Sequence, residues 1–158
     1  MAESGDEFWN FSLAFYGRPG VSAACLALQD RHGLDVNLVL YACWVGLSGR
    51  GQLTAADIAR AAAVNAPWRE AVIEKLRAAR RAIKEAAPEA TGLYASAKAI
   101  ELDAERIAQQ RLAACAPGVT TNAVARRADA TANLTLYLEN EAARGAAPAI
   151  FAAIAAWA

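Results

Sequence analysis

Asn37, Tyr41, Trp44 and Ser48 follow one another at i, i+4, i+7 and i+11, a spacing that lays an amide, a phenol, an indole and a hydroxyl along one helix face. Gln29, Asp30 and His32 stand across a short turn from them, and Tyr16 and Arg18 flank the break before that. Gathered at one cavity, these side chains would form an apolar, aromatic pocket with a few polar groups at its mouth, the usual shape of a small-molecule site. Tyr16, Arg18, Gln29, Asp30, His32, Asn37, Tyr41 and Trp44 are therefore the candidate ligand-binding residues. A competing reading gives each a local task. Asn37 bonds backbone groups in its own first turn, Asp30 pairs with Arg18, and the buried phenol and indole each find one hydrogen bond.

Catalysis has thinner support. His32 with Asp30 or Asp35 would make an acid/base pair, but no activated serine or cysteine accompanies it. Asp30 and His32, two apart on a helix, also point to different sides. Cys25, Cys43 and Cys115 are odd in number, far apart and set in apolar helical surroundings, which suits small buried hydrophobes in a reducing cytosol. A metal site built from them and His32 is the alternative, without close cysteines or a Glu-x-x-His pair to favour it. No catalytic residue and no metal or other cofactor is expected. The loop at Ser48-Gly49-Arg50-Gly51-Gln52 lacks the preceding strand and the lysine and hydroxyl residue of a phosphate-binding loop.

The elements that must hold such a pocket are helices. Residues 35–47, DVNLVLYACWVGL, carry only Asn37 as a strongly polar side chain after the opening Asp35, so no face suits water and the helix belongs in a core. Gly33 can close the preceding helix in the left-handed conformation and Asp35 can cap the next, which predicts a tight hairpin. Before it, residues 1–6 read as a frayed leader. Phe8, Phe11, Phe15 and Trp9, Leu13, Tyr16 then put apolar matter on two faces of a first helix, and Pro19 opens a second, to about Arg31. Thr54 and Asp57 predict a capping box, and Ala66-Pro67-Trp68 the end of that short helix. The next, to about Ala86, places Val72, Leu76, Ala79 and Ile83 inward and Lys75, Arg77, Arg80, Arg81 and Lys84 outward. Past Pro88, a helix to about Ala114 has Leu93, Ala97, Ile100, Ala104 and Ile107 on one side. A further long helix is predicted over residues 121–144, and residues 147–158 form an apolar terminal helix with Ile150, Ile154 and Trp157 on one stripe.

Sixteen basic and sixteen acidic residues cancel, so no global field draws the chain to nucleic acid or an anionic membrane. The arginine-rich helix has no interleaved aromatic side chains, and nucleic acid ranks last among partners. No apolar run is long enough to span a bilayer. The opening residues have no basic region before an apolar run, so no secretory or transit signal is read there and a cytoplasmic location is expected.

The stretch over residues 8–44, FWNFSLAFYGRPGVSAACLALQDRHGLDVNLVLYACW, resembles the signature block of the small, mainly proteobacterial proteins grouped as domain of unknown function 2390. The matching runs are Phe15-Tyr16, Arg18-Pro19-Gly20-Val21, Cys25-Leu26, Leu28-Gln29-Asp30 and Gly33-Leu34-Asp35-Val36-Asn37-Leu38 through to Trp44. Beyond them the likeness continues loosely through Arg77 to Lys84 and fades past about Glu89. That family has no established activity, so the resemblance implies a cytosolic bacterial helical protein and hands over no catalytic residues.

The expectation is an all-α single-domain bundle over residues 1–158, with about seven to eight helices around residues 35–47. Its leading function is non-catalytic: docking of a protein partner or self-association, through Arg77, Arg80, Arg81 and Lys84 or through Ile150, Ile154 and Trp157. The alternative is a small-molecule binder or enzyme using the pocket of residues 16–18, 29–32 and 37–48.

Overall fold

Gly33 adopts φ 63° and ends α2 (Val21–His32), while the Asp35 carboxylate accepts from Asn37 N at 2.9 Å and starts α3 (Val36–Leu47), so the predicted hairpin forms. Every residue of α3 from Asn37 to Leu47 is buried. The computed structural model describes residues 2–120 and 123–158; it is all-α, with no strand among the described residues. Around α3 stand α1 (Ala2–Tyr16), α4 (Ala55–Trp68), α5 (Glu74–Ala86), α6 (Thr91–Ala114), α7 (Arg126–Tyr137), α8 (Glu141–Gly145) and α9 (Pro148–Ala155).

α7 lies tightest on α3. A Cβ added at Gly46 would meet Ala130 N at 2.2 Å, so the two backbones touch directly at the one position of α3 without a side chain. Asn133 of α7 locks this crossing. Its amide donates to Ala42 O at 3.3 Å and Gly51 O at 3.1 Å, and its oxygen accepts from Leu53 N at 2.7 Å. At the other end of α3, Asp35 accepts from Asn65 Nδ2 at 2.5 Å, and the Tyr137 hydroxyl accepts from Asp35 N at 3.1 Å.

α1 begins at Ala2, so residues 2–6 are helical instead of frayed. Gly5 lets α1 settle on α6, where a Cβ would stand 3.0 Å from Gln110 Cγ, and Asp6 pairs with Arg106 at 2.9 Å. Phe8 and Phe15 go to the core, Phe8 stacking on Trp44 at 4.8 Å.

Thr54 and Asp57 form the predicted capping box. α4 ends at Trp68, as the Ala66-Pro67-Trp68 run predicts, with Pro67 in its last turn, and the chain stays helical through a π-turn (Arg69–Ile73) into α5. Proline has no N–H for the carbonyl four residues back, and the wide turn begins two residues after it. α5 packs on α6 and the π-turn, around a small second core of Ile73, Ala104 and Ala108. Of the stripe predicted on α6, Ala104 is buried, but Leu93, Ile100 and Ile107 are 57%, 54% and 38% exposed, and the inward face is instead Glu101, Ala104, Ala108, Gln109, Leu112 and Ala113.

The helix predicted over residues 121–144 is shorter and interrupted. Residues 121 and 122 lie outside the described residues, Val124 is exposed, and Asn140 takes an extended backbone and accepts from Ala143 N at 2.7 Å, capping a separate α8. Pro148 opens α9, whose Ile150 and Ile154 are wholly buried.

Candidate functional site

α1, α2, α3, α5 and α6 enclose a cleft of about 270 Å³. Each contributes residues one turn apart. α1 supplies Trp9, Ser12, Leu13 and Tyr16; α3 supplies Val36, Asn37 and Leu40; α5 supplies Arg77, Arg80 and Arg81; α6 supplies Glu101, Leu102, Glu105 and Gln109. On a helix, residues three and four apart share a face, which is why each set arrives together.

The floor is polar and nearly sealed. Gln109 Nε2 donates to Asn37 Oδ1 at 3.0 Å, while Gln109 Oε1 and Ser12 Oγ have no hydrogen-bond partner among the described residues. Gln109 is 2% and Ser12 4% exposed. The rim is apolar: Leu13, Leu26 and Leu102 remain 54%, 47% and 46% exposed there.

One wall is ionic. Arg77 reaches Glu101 and Glu105, each at 3.2 Å, and Arg80 pairs with Glu101 and donates to the Tyr94 hydroxyl at 3.4 Å. Arg81 lies 3.5 Å from Asp30 of α2, both more than half exposed. Burial pushes the Glu101 carboxyl upward, but the hydrogen bonds and charges of Arg80 and Arg77 outweigh it and hold that group below the ordinary carboxylate range. Glu105 goes the other way: burial dominates and raises it despite Arg77. Burial likewise raises the Tyr16 phenol.

This difference predicts two outcomes. Glu101→Gln leaves the mostly buried Arg80 guanidinium without its carboxylate and Arg77 with Glu105 alone, and should cost about 2 to 3 kcal/mol in urea unfolding at neutral pH. Glu105→Gln keeps an acceptor for Arg77 and removes a charge that burial disfavours, so it should change stability by less than about 1 kcal/mol. The signs with pH follow. A carboxyl lowered by folding stabilises above its unfolded value and loses that as pH falls through its folded value; a raised one costs stability as pH rises through its folded value. The Glu101→Gln deficit should therefore shrink in acid. A deficit that persists unchanged there would refute the ionic account.

Of the sequence-derived candidates, Tyr16, Gln29 and Asn37 line this cleft. Arg77, Arg80 and Arg81, expected as an outward partner surface, line it too, because their face of α5 meets the glutamates of α6. Asp30 holds Arg81 instead of Arg18, whose guanidinium lies over Trp157 at 4.9 Å. His32 is half-buried in the last turn of α2, and Asp35 is committed to Asn37 and Asn65, so neither aspartate forms an acid/base pair with it. Tyr41 and Trp44 belong to the core, not to the cleft, and neither the phenol oxygen nor the indole nitrogen finds the expected hydrogen bond among the described residues. Ser48, expected on the same face, bonds Val45 O at 3.4 Å. Lys84 is exposed beside Thr91 and Tyr94 at the α5–α6 turn. Ile150 and Ile154, offered as a partner stripe, are core residues, and Trp157 packs on Phe11 at 5.0 Å and Phe15 at 5.5 Å; the terminal helix seals the bundle.

The sequence reading missed Trp9, Ser12, Glu101, Glu105 and Gln109. A signal existed: Glu101, Glu105 and Gln109 recur every four residues on the helix following Arg77, Arg80 and Arg81, a charge match across a helical hairpin. The cysteines are free, and burial raises Cys25 to about 12 and Cys43 further. Among the described residues no group of three or more His, Cys, Asp and Glu side chains is placed to hold a metal ion, and no helix is long and apolar enough to cross a membrane.

Residues 7–112 match the family described as a protein of unknown function (DUF2390), a span that passes the point near residue 89 where the resemblance fades and contains every residue lining the cleft. No curated protein and no solved structure matches the chain.

Proposed function

We propose that this chain, which belongs to the DUF2390 family, works by binding a small amphipathic molecule in the α1–α6 cleft. The observation that carries the reading is the pairing of opposites within one cleft. Ser12 Oγ and Gln109 Oε1 are buried without a partner at its floor, and three leucines are exposed at its rim. An unmet buried polar group costs about 1 to 3 kcal/mol, and wetted leucine surface adds to that. A molecule with an apolar body and a polar group relieves both at once. Binding is favoured over turnover because the cleft offers amides, a hydroxyl and charges already matched to one another, with no nucleophile beside a base.

Titration with the neutral fluorophore N-phenyl-1-naphthylamine should give saturable, one-to-one enhancement. Leu102→Glu at the exposed rim should abolish it while leaving the thermal midpoint in place. Enhancement indifferent to that change would move binding elsewhere and end the reading. Ser12→Ala should not destabilise the free protein, since it deletes an unpaired group.

A second reading, docking of a protein partner or of another copy of this chain, is supported by Leu93, Ile100 and Ile107. They recur every seven residues on the face of α6 turned from the cleft and stay open to water. A strictly monomeric mass for the same samples in sedimentation equilibrium would remove self-association from it.

A further inference from the structure

We propose that the cleft takes an elongated amphipathic acid, with its anionic group on Arg81 at the mouth and a hydrogen-bond donor at its far end on Gln109 Oε1. The inference deepens the binding reading above and rests on it.

Charge selects the mouth. Arg77 and Arg80 are matched by Glu101 and Glu105 inside the cleft, whereas Arg81 is held only at 3.5 Å by Asp30, which does not line it. Both members of that pair are more than half exposed, so their attraction is weak and easily exchanged. A ligand carboxylate can replace Asp30 and take two parallel N–H bonds from the guanidinium.

Polarity selects the far end. Gln109 gives one of its two N–H groups to Asn37 while its Oε1 is left without a partner, so an acceptor stands open at the floor, and only a hydroxyl or an N–H can satisfy it. The distance between the two ends follows from helix geometry. Arg77 stands against Glu101 and Glu105, and Arg81 lies one turn further along α5, away from Gln109 because α5 and α6 run in opposite directions. At 1.5 Å per residue, the two polar ends are on the order of 10 to 15 Å apart. Trp9, Leu13 and Leu102 line the same cleft and suit an apolar chain. A ten-carbon ω-hydroxy acid has the required reach.

Three probes separate the parts, by isothermal titration calorimetry below their micelle-forming concentrations: 10-hydroxydecanoate, decanoate without the hydroxyl, and 1,10-decanediol without the carboxylate. The hydroxy acid should bind tightest, with each deletion weakening it about tenfold. Arg81→Gln should erase the gap between acid and diol, and Asp30→Asn should widen it by releasing Arg81, with thermal midpoints confirming that both variants fold. A diol that binds as well as the acid, or a gap that survives Arg81→Gln, would overturn the assignment. So would failure of all three probes; if N-phenyl-1-naphthylamine still binds, the cleft reading stands without the acid, and if it does not, both fall.

Discussion

Gly46→Ala should destabilise the protein by about 3 kcal/mol or more, although alanine is the better helix former by up to about 1 kcal/mol. The new Cβ would stand 2.2 Å from Ala130 N, 2.3 Å from Ala130 Cα and 2.7 Å from Asp129 C, all backbone atoms. No side chain can swing aside, so α7 must retreat from α3 by more than an ångström. That retreat would stretch the three bonds that Asn133 makes to Ala42, Gly51 and Leu53. Strain and lost polar pairing therefore arrive together, and both exceed the helix preference. Urea unfolding followed by circular dichroism measures the sum. Stability within about 1 kcal/mol of the parent would mean that the helices are further apart than described.

Trp44→Ala should cost about 3 to 5 kcal/mol, the range for emptying a large aromatic site in a core. Trp44 is 1% exposed, stacks on Phe8 with 4.8 Å between ring centroids and carries the Arg50 guanidinium 4.6 Å from its ring centroid. Its removal also loosens Arg50, which ties α1 to the chain after α6 through Glu7 at 2.9 Å and Pro117 O at 3.2 Å. Cleft binding should survive in whatever fraction remains folded, because Trp44 does not line the cleft. A near-neutral loss of stability with altered binding would place the indole in an accessible site and contradict its burial.

The contrast between these two positions shows what residue types can announce. Residues 35–47 revealed a hub because a helix with one strongly polar side chain beyond its cap has no face for water, and Gly33, Asp35, Thr54 and Asp57 marked their boundaries through local bonds. The phase of α6 was not legible. Alanine at 97, 104, 108 and 113 is indifferent between inside and outside, and the inward face is chosen by pairing Glu101 with arginines of another helix. Likewise the arginines of α5 read as a solvated face until their glutamates are placed opposite. The cleft was half visible. Tyr16, Gln29 and Asn37 drew notice as polar residues in apolar company, but the bond between Gln109 and Asn37 joins residues 72 apart, which no local period records. The break at Asn140 was hidden because apolar periodicity continues on both sides of the cap.

α5 has no fully buried residue, whereas the floor it faces holds some of the deepest polar atoms in the bundle. The cleft is thus bounded by a shallowly anchored lever on one side and by bedrock on the other. Local opening follows the cheaper side. Amide hydrogen exchange is therefore expected to run faster along α5 than along the helices that carry the floor.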